Sequence, residues 1–229
     1  MNNVALTVAL ATAPSSAFAE LRERPKFWFP LLLLVLSTAA VAGWYYNVVD
    51  IDWLKDLMFG NNPNIPEAQR AAAMGFVTRT TMLWSSVVGT FIGMPIVFVV
   101  MALYWFVAAK VTRLTPGYKH WFAFTCWTAL PLLIGNVVAA IMLLISDSPQ
   151  INPSVMQGGL SLNELVFNLP QGAPGQNILG SLSIPTFLSC ALTIIGVHVW
   201  SQRSWLFSTI FALLPVVLFY GIWSLIEFR

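Results

Sequence analysis

The sequence predicts an all-α integral membrane protein with five transmembrane helices and a short N-terminal amphipathic helix. The first observation is five stretches without Asp, Glu, Lys or Arg, each about 20 residues or longer. A helix of that length crosses a hydrocarbon core of ~30 Å. The second is composition, because 58% of the 229 residues are hydrophobic and only 9% are charged. A soluble domain has about 25% charged residues, so this chain lacks the polar side chains for a water-facing surface.

The segment before the first span, residues 1–26, predicts a short amphipathic helix at a cytoplasmic membrane surface. Pro14 is placed to start that helix, Phe18 lies on its apolar face and Pro25 ends it. Its basic residues are Arg22, Arg24 and Lys26. A cleaved signal peptide is the alternative, because residues 4–11 are apolar. The absence of Lys or Arg before this apolar run disfavours cleavage, but the sequence leaves the question open.

The predicted spans are residues 27–46, 82–107, 121–145, 179–200 and 205–226. We expect helices across them because unsatisfied backbone groups cost several kcal/mol in lipid. Each span contains a proline, namely Pro30, Pro95, Pro131, Pro185 and Pro215. Pro30 is close to a helix start, whereas the other four are expected to bend their helices. A turn is predicted at residues 61–66, followed by a helix that continues without interruption into the second span.

The distribution of basic residues predicts the orientation. The segments on the N-terminal side hold seven, namely Arg22, Arg24, Lys26, Lys110, Arg113, Lys119 and Arg203. The opposite side holds Lys55, Arg70, Arg79 and Arg229. The positive-inside rule therefore places the N-terminus in the cytoplasm and the C-terminus outside. A net charge of +2 gives no support for binding nucleic acid.

Residues that could carry chemistry are sparse. His198 lies inside a span, Glu227 lies at the end of the last, and His120 precedes the third. The histidines have no Cys, Asp or Glu partner at a metal-binding spacing. Hydrolase, zinc-protease and ATPase motifs do not occur in the sequence. We therefore expect no enzyme activity, no catalytic residue, no metal and no cofactor.

Small and polar residues in the spans instead predict helix packing. Ser85, Gly89 and Gly93 are spaced four apart and form one small-residue face on the second span. That face could pack within this chain, could pack on a partner helix, or could have no special role. Asn136 is a candidate for a hydrogen bond between helices. The aromatic residues Trp44, Tyr45, Tyr46, Trp53, Trp105, Trp121, Trp200 and Trp205 are expected at the membrane interfaces.

Six positions carry a resemblance to a known family. Pro14, Phe18 and Pro25 frame the N-terminal helix, Gly117 and Pro131 frame the first half of the third span, and Gly196 lies in the fourth. This pattern resembles the bacterial branch of the Yip (Rab/Ypt-interacting protein) domain family. The resemblance covers nearly the whole chain and implies one five-span membrane domain, residues 1–229, in a bacterial inner membrane. It also implies a non-enzymatic protein that works by association.

Three hypotheses about function follow. The first is an adaptor or accessory subunit that docks on another membrane complex, such as an ABC-type exporter. Its expected partners are the lipid bilayer and another integral membrane protein or further copies of this chain. The second is a transporter or permease for a small solute or lipid, suggested by the prolines. The third, an intramembrane enzyme, would have to use Asn136, His198 or Glu227.

Overall fold

The computed structural model describes residues 1–60, 66–170 and 172–228. In chain order, the α-helices of these residues are α1 Asn3–Thr12, α2 Pro14–Glu23, α3 Trp28–Val48, α4 Ile51–Lys55, α5 Glu67–Phe76, α6 Arg79–Val111, α7 Tyr118–Thr128, α8 Leu132–Leu144, α9 Gln176–Ser181, α10 Ile184–Ser201 and α11 Trp205–Glu227. Short 3-10 or π turns occupy Asp56–Gly60, Pro153–Gln157 and Asn163–Phe167. The predicted turn at residues 61–66 lies outside the described residues except for Pro66.

Five helical segments of the described chain are long and apolar enough to cross a membrane. They are Trp28–Val48, Arg79–Val111, Tyr118–Leu144, Ile184–Ser201 and Trp205–Glu227. The predicted and observed ends differ by at most five residues, at the start of the fourth span. The predicted all-α architecture with five membrane helices is therefore confirmed.

The second span does not continue from the helix before it. Val77 is extended at φ −75° and ψ 93°, and this ends α5. The Thr78 hydroxyl then accepts a hydrogen bond from the Thr81 amide at 3.1 Å, as expected of a residue that caps a helix start. The prediction of one uninterrupted helix was wrong because a hydroxyl cap separates two helices here.

The fourth span starts later than predicted and is not bent by its proline. Residues 179–181 belong to α9, and α10 begins at Ile184. The Ser183 hydroxyl accepts from the Thr186 amide at 3.3 Å and caps α10. Pro185 therefore lies in the first turn, where its missing N–H costs nothing. The expected bend at this proline was wrong.

The third span is divided at its proline. Residues 129–131 form a turn between α7 and α8. Thr125 and Thr128 form hydroxyl bonds to the carbonyls of Trp121 and Phe124 at 2.9 and 3.0 Å in the turns before this break. Pro131 thus interrupts the helix, in keeping with the loss of its backbone donor.

The N-terminal segment contains two helices rather than one. Asn2 caps α1 by accepting from the Ala5 amide at 2.7 Å, and this helix was not predicted. Helix α2 forms as predicted, but its apolar residues Ala17, Phe18 and Leu21 are all buried in the protein. Protein side chains therefore cover the apolar face of α2, and the location of this helix at a membrane surface stays a prediction.

The chain divides into two compact units. The first comprises Met1–Leu34, Pro95–Leu132 and Leu160–Arg229, and the second comprises Val35–Met94 and Leu133–Gly159. In the first unit α10 packs on α11 and on α2, and α7 packs on both α10 and α2. In the second unit Val41, Tyr45 and Val49 share a hydrophobic core with Ala139 and Leu143.

Candidate functional site

The first unit has a core of aromatic rings from four spans. The ring centroid of Trp121 lies 4.9 Å from that of Trp200 and 5.9 Å from that of Phe211. The ring of Trp105 lies 5.7 Å from that of Phe211 and 6.2 Å from that of Phe124. Trp105, Trp121 and Trp200 are all buried in this core and therefore do not face lipid, and their expected depth at the membrane interface stays a prediction. The sequence signal for this buried aromatic core was the spacing of Trp121 and Phe124, which puts two large rings on one helix face.

Phe18 of α2 extends this aromatic core. Its ring centroid lies 5.4 Å from that of Phe124. Its main-chain carbonyl accepts a hydrogen bond from the buried Trp200 Nε1 at 2.8 Å. Gly196 lies beside both phenylalanine rings, where a Cβ would be 2.9 Å from Phe18 Cε1 and closer still to Phe124 Cε2. Glycine at this position therefore lets α2 dock against the bundle.

Phe18 and Gly196 are thus brought together, although they lie at opposite ends of the sequence. The other positions of the family pattern are placed at helix ends. Pro14 is the first residue of α2, and Pro25 follows the end of that helix. Gly117 is the N-cap residue of α7, and Pro131 lies between α7 and α8. The family pattern therefore marks one packing contact and four helix boundaries.

The second unit is joined by side-chain hydrogen bonds. Asn136 Nδ2 on α8 donates to Ser37 Oγ at 2.8 Å and to Thr38 Oγ1 at 2.9 Å, both on α3. Tyr45 Oη donates to the Ile151 carbonyl at 2.9 Å. Asn136 therefore bonds between two helices, as its polar side chain in an apolar segment indicates.

Arg79 binds the main-chain carbonyls at the end of α3, a role that its charge alone did not predict. Its guanidinium donates to the Tyr46 carbonyl at 2.7 Å and to the Val49 carbonyl at 2.9 Å. It also donates to the carbonyl of Asn47. The last carbonyls of a helix have no partner within the helix, so one arginine here satisfies three acceptors.

The small-residue face of α6 lies open. Apart from chain neighbours and the backbone of α6 itself, no described atom lies within 4 Å of the Cβ position at Gly89 or Gly93. Ser85 is exposed, and its hydroxyl donates to the Met82 carbonyl of the same helix at 3.1 Å. Asn136 does not join this face, because its amide is directed to α3. The four predicted packing residues therefore form two separate features.

The titratable residues near the spans make local contacts and do not converge. The His198 ring stacks on that of Trp205 with centroids 3.9 Å apart. Glu227 accepts from Trp223 Nε1 at 3.1 Å and from Asn177 Nδ2 at 3.2 Å. In the part of the chain that the structure describes, no group of three His, Cys, Asp or Glu side chains could hold a metal ion.

Among the described residues, two ion pairs lie outside the spans. The Met1 amino group donates to Glu20 Oε1 at 2.6 Å, and this hydrogen bond lowers the pKa of the Glu20 carboxyl. A hydrogen bond from Lys55 at 2.9 Å similarly lowers the pKa of Asp52. Solvent screens such surface pairs strongly, so they are local contacts rather than parts of a site.

Together these features define a multi-pass α-helical membrane protein with a docked N-terminal helix. The model of the Yip1 domain matches residues 8–226, which is nearly the entire chain. The chain belongs to the Yip1 domain family, as its pattern of prolines, glycines and Phe18 predicts. This is not a known enzyme family.

The chain is also similar to a bacterial membrane protein. It is 24% identical over 187 residues to the protein named "Membrane protein YknW" of Bacillus subtilis (strain 168). The alignment covers 82% of this chain and 74% of that relative. No solved structure matches the chain.

Proposed function

We propose that this protein is a non-enzymatic adaptor or accessory subunit that docks on another integral membrane protein. Its expected place is the bacterial inner membrane, with the N-terminus in the cytoplasm and the C-terminus outside. An ABC-type exporter is one class of complex that it would serve. The proposal concerns docking between helices within the membrane.

The observation that carries this proposal is the open face at Gly89 and Gly93. Membrane helices associate where small residues let two backbones approach closely, because lipid supplies no hydrophobic force between them. Gly196 shows a related use of a small residue within this chain, since two phenylalanine rings fill the space beside it. The same space beside Gly89 and Gly93 is free of described protein atoms and suits a helix from another protein.

The side chains around this face suit an apolar partner. Trp84, Val88 and Ile92 of α6 are 61%, 47% and 57% exposed. A partner helix seated on the glycines would contact these flanking residues and gain dispersion energy from them. The local contacts of His198 and Glu227 further support a role in association rather than turnover.

The decisive experiment is capture of neighbours in native membranes by a photo-crosslinker placed at Val88. Wild-type protein is expected to yield a stoichiometric integral membrane partner. The variant Gly89→Leu/Gly93→Leu should lose it, because two leucines fill the face. Gly221→Leu is the matched control, since Gly221 also has no neighbour within 4 Å of its Cβ position but lies on α11.

Three outcomes of this experiment have distinct meanings. A partner lost in the double variant and kept in Gly221→Leu supports the proposal. Capture of a second copy of this chain alone would replace the adaptor by a homo-oligomer. Wild-type protein that captures no protein neighbour, or that captures the same neighbour in all variants, would overturn docking through this face.

The proposed orientation has an independent test. Reporter fusions at the two termini should show the N-terminus in the cytoplasm and the C-terminus outside. Both termini on one side would contradict the orientation and would be incompatible with five crossings.

The transporter hypothesis is retained because the third span is broken at residues 129–131. Discontinuous spans form substrate sites in many transporter folds. Purified protein in proteoliposomes would show flux of a small solute or lipid above empty vesicles if this hypothesis holds. Absence of flux with correctly folded protein would remove it.

A further inference from the structure

A cleft of about 700 Å³ opens in the first unit where α3 and α7 begin. The lining residues that matter chemically are Lys26, Phe27, Trp28, Tyr118, Lys119 and Phe122. Two of these are cations and four are aromatic. This combination fits a ligand with an anionic group attached to an apolar body.

The charge of the cleft has one sign, because none of the residues that line it is acidic. Lys26 Nζ donates to the Met1 carbonyl at 2.8 Å, which leaves two of its three donor hydrogens for a ligand. Lys119 is exposed and makes no hydrogen bond or ion pair with the described residues. Both ammonium groups are therefore able to bind an anion.

The aromatic wall is ordered by contacts between its own rings. Phe27 meets Phe122 edge-on with centroids 5.0 Å apart, and Tyr118 stacks on Phe122 at 6.3 Å. The buried indole of Trp127 donates to the Lys26 carbonyl at 2.6 Å and fixes the main chain of that lysine. The site is thus formed before any ligand arrives, which lowers the entropy cost of binding.

The cleft lies at the starts of two spans, where the boundary between lipid and water is expected. Helices α3 and α7 open the first and third spans, and two crossings separate them, so both begin on one side of the membrane. That side carries seven of the basic residues and is the predicted cytoplasmic side. Gly117, the N-cap of α7, offers no side-chain cap, so the positive end of the helix dipole lies at the same helix start as Tyr118 and Lys119.

We propose that this cleft binds the phosphate group of an anionic phospholipid, with Lys26 and Lys119 as its two cationic contacts. The phosphate oxygens accept hydrogen bonds from the two ammonium groups. The glycerol and upper acyl chains lie along the aromatic wall and the exposed ring of Trp28. Basic pockets next to membrane helices bind lipid headgroups by this chemistry.

The test is a lipid titration of the purified full chain in mild detergent, with the thermal unfolding midpoint as readout. Phosphatidylglycerol, phosphatidylcholine and inorganic phosphate are the three probes. Phosphatidylglycerol alone is expected to raise the midpoint at low concentration. Lys26→Gln/Lys119→Gln should weaken its binding roughly thirtyfold, since each lysine near the surface contributes about a fivefold factor.

Lys110→Gln/Arg113→Gln is the matched control, because it removes two basic side chains from the same membrane side but outside the cleft. This variant should keep the wild-type affinity. If the double cleft variant is unstable without lipid, Lys119→Gln alone provides the test, with an expected loss of about fivefold. Equal losses in cleft and control variants would overturn the site, as would an equal response to phosphatidylcholine or saturation by inorganic phosphate.

Discussion

The two compact units use glycine in opposite ways. In the first unit, the space beside Gly196 is filled by the rings of Phe18 and Phe124. In the second unit, the space beside Gly89 and Gly93 holds no described protein atom. In the first unit, glycine therefore makes room for aromatic rings of the same unit. In the second unit, the two glycines leave an open helix face that another molecule can occupy.

The forces that hold the units differ as well. The first unit relies on aromatic rings and on indole hydrogen bonds, from Trp200 to the Phe18 carbonyl and from Trp127 to the Lys26 carbonyl. The second combines its hydrophobic core with polar bonds from Asn136, Tyr45 and Arg79. In lipid, hydrogen bonds between helices add to van der Waals packing, and the described residues of this unit make both without using Gly89 and Gly93.

Gly196→Ala is expected to have the largest effect on stability. The added methyl overlaps Phe124 and Phe18, and overpacking of this kind costs about 1–3 kcal/mol. Unfolding in mixed detergent micelles, followed by tryptophan fluorescence, measures the loss. Phe18→Leu in the Gly196→Ala background should recover part of the loss, because a smaller side chain gives way to the methyl. Wild-type stability of Gly196→Ala would show that the space beside this glycine is not filled.

Trp200→Phe tests whether the indole holds α2 on the first unit. It removes the hydrogen bond to Phe18 at a buried site, and we expect a loss of about 1–2 kcal/mol. Amide hydrogen exchange should accelerate across Pro14–Glu23 more than in the other helices. Trp84→Phe is the control, because Trp84 is 61% exposed. This variant should leave the amide hydrogen exchange of α2 unchanged. Unchanged protection of α2 in Trp200→Phe would assign its docking to ring packing alone.

The sequence predicted the spans well and the core poorly, and both outcomes have one physical origin. The length of each span follows from the number of residues between charged positions, which can be read directly from the sequence. In a uniformly apolar helix, lipid-facing and core-facing positions have the same composition, so only the spacing of Trp121 and Phe124 indicated a buried aromatic face. The pairing of Phe18 with Gly196 depends on how distant segments fold together and has no local signal.

The helix boundaries that were missed have a different origin. At Thr78 and Ser183 a single hydroxyl caps the next helix, and hydropathy does not register it. The open face of α6 shows a similar limit, because the spacing of Ser85, Gly89 and Gly93 indicates close packing but not whether this chain supplies the partner. Only the structure shows that the described residues leave this space empty.

Asn136→Leu measures the polar bonds of the second unit. It keeps the side-chain size but removes two hydrogen bonds to α3, and we expect a loss of about 0.6–1.7 kcal/mol. A double-mutant cycle with Thr38→Val isolates the bond between Asn136 and Thr38. No coupling between the two variants would contradict the polar bond to Thr38 that the structure shows.

Gly89→Ala is expected to have the smallest effect and makes the sharpest contrast with Gly196→Ala. The same methyl meets no neighbour within 4 Å, and alanine favours a helix over glycine by up to about 1 kcal/mol. Purified protein should therefore keep or slightly gain stability in the same micelle assay. In native membranes, however, the methyl would lie between α6 and any docked helix. A loss of stability in the purified protein would mean that the chain itself fills this face, and the contrast between the two units would disappear.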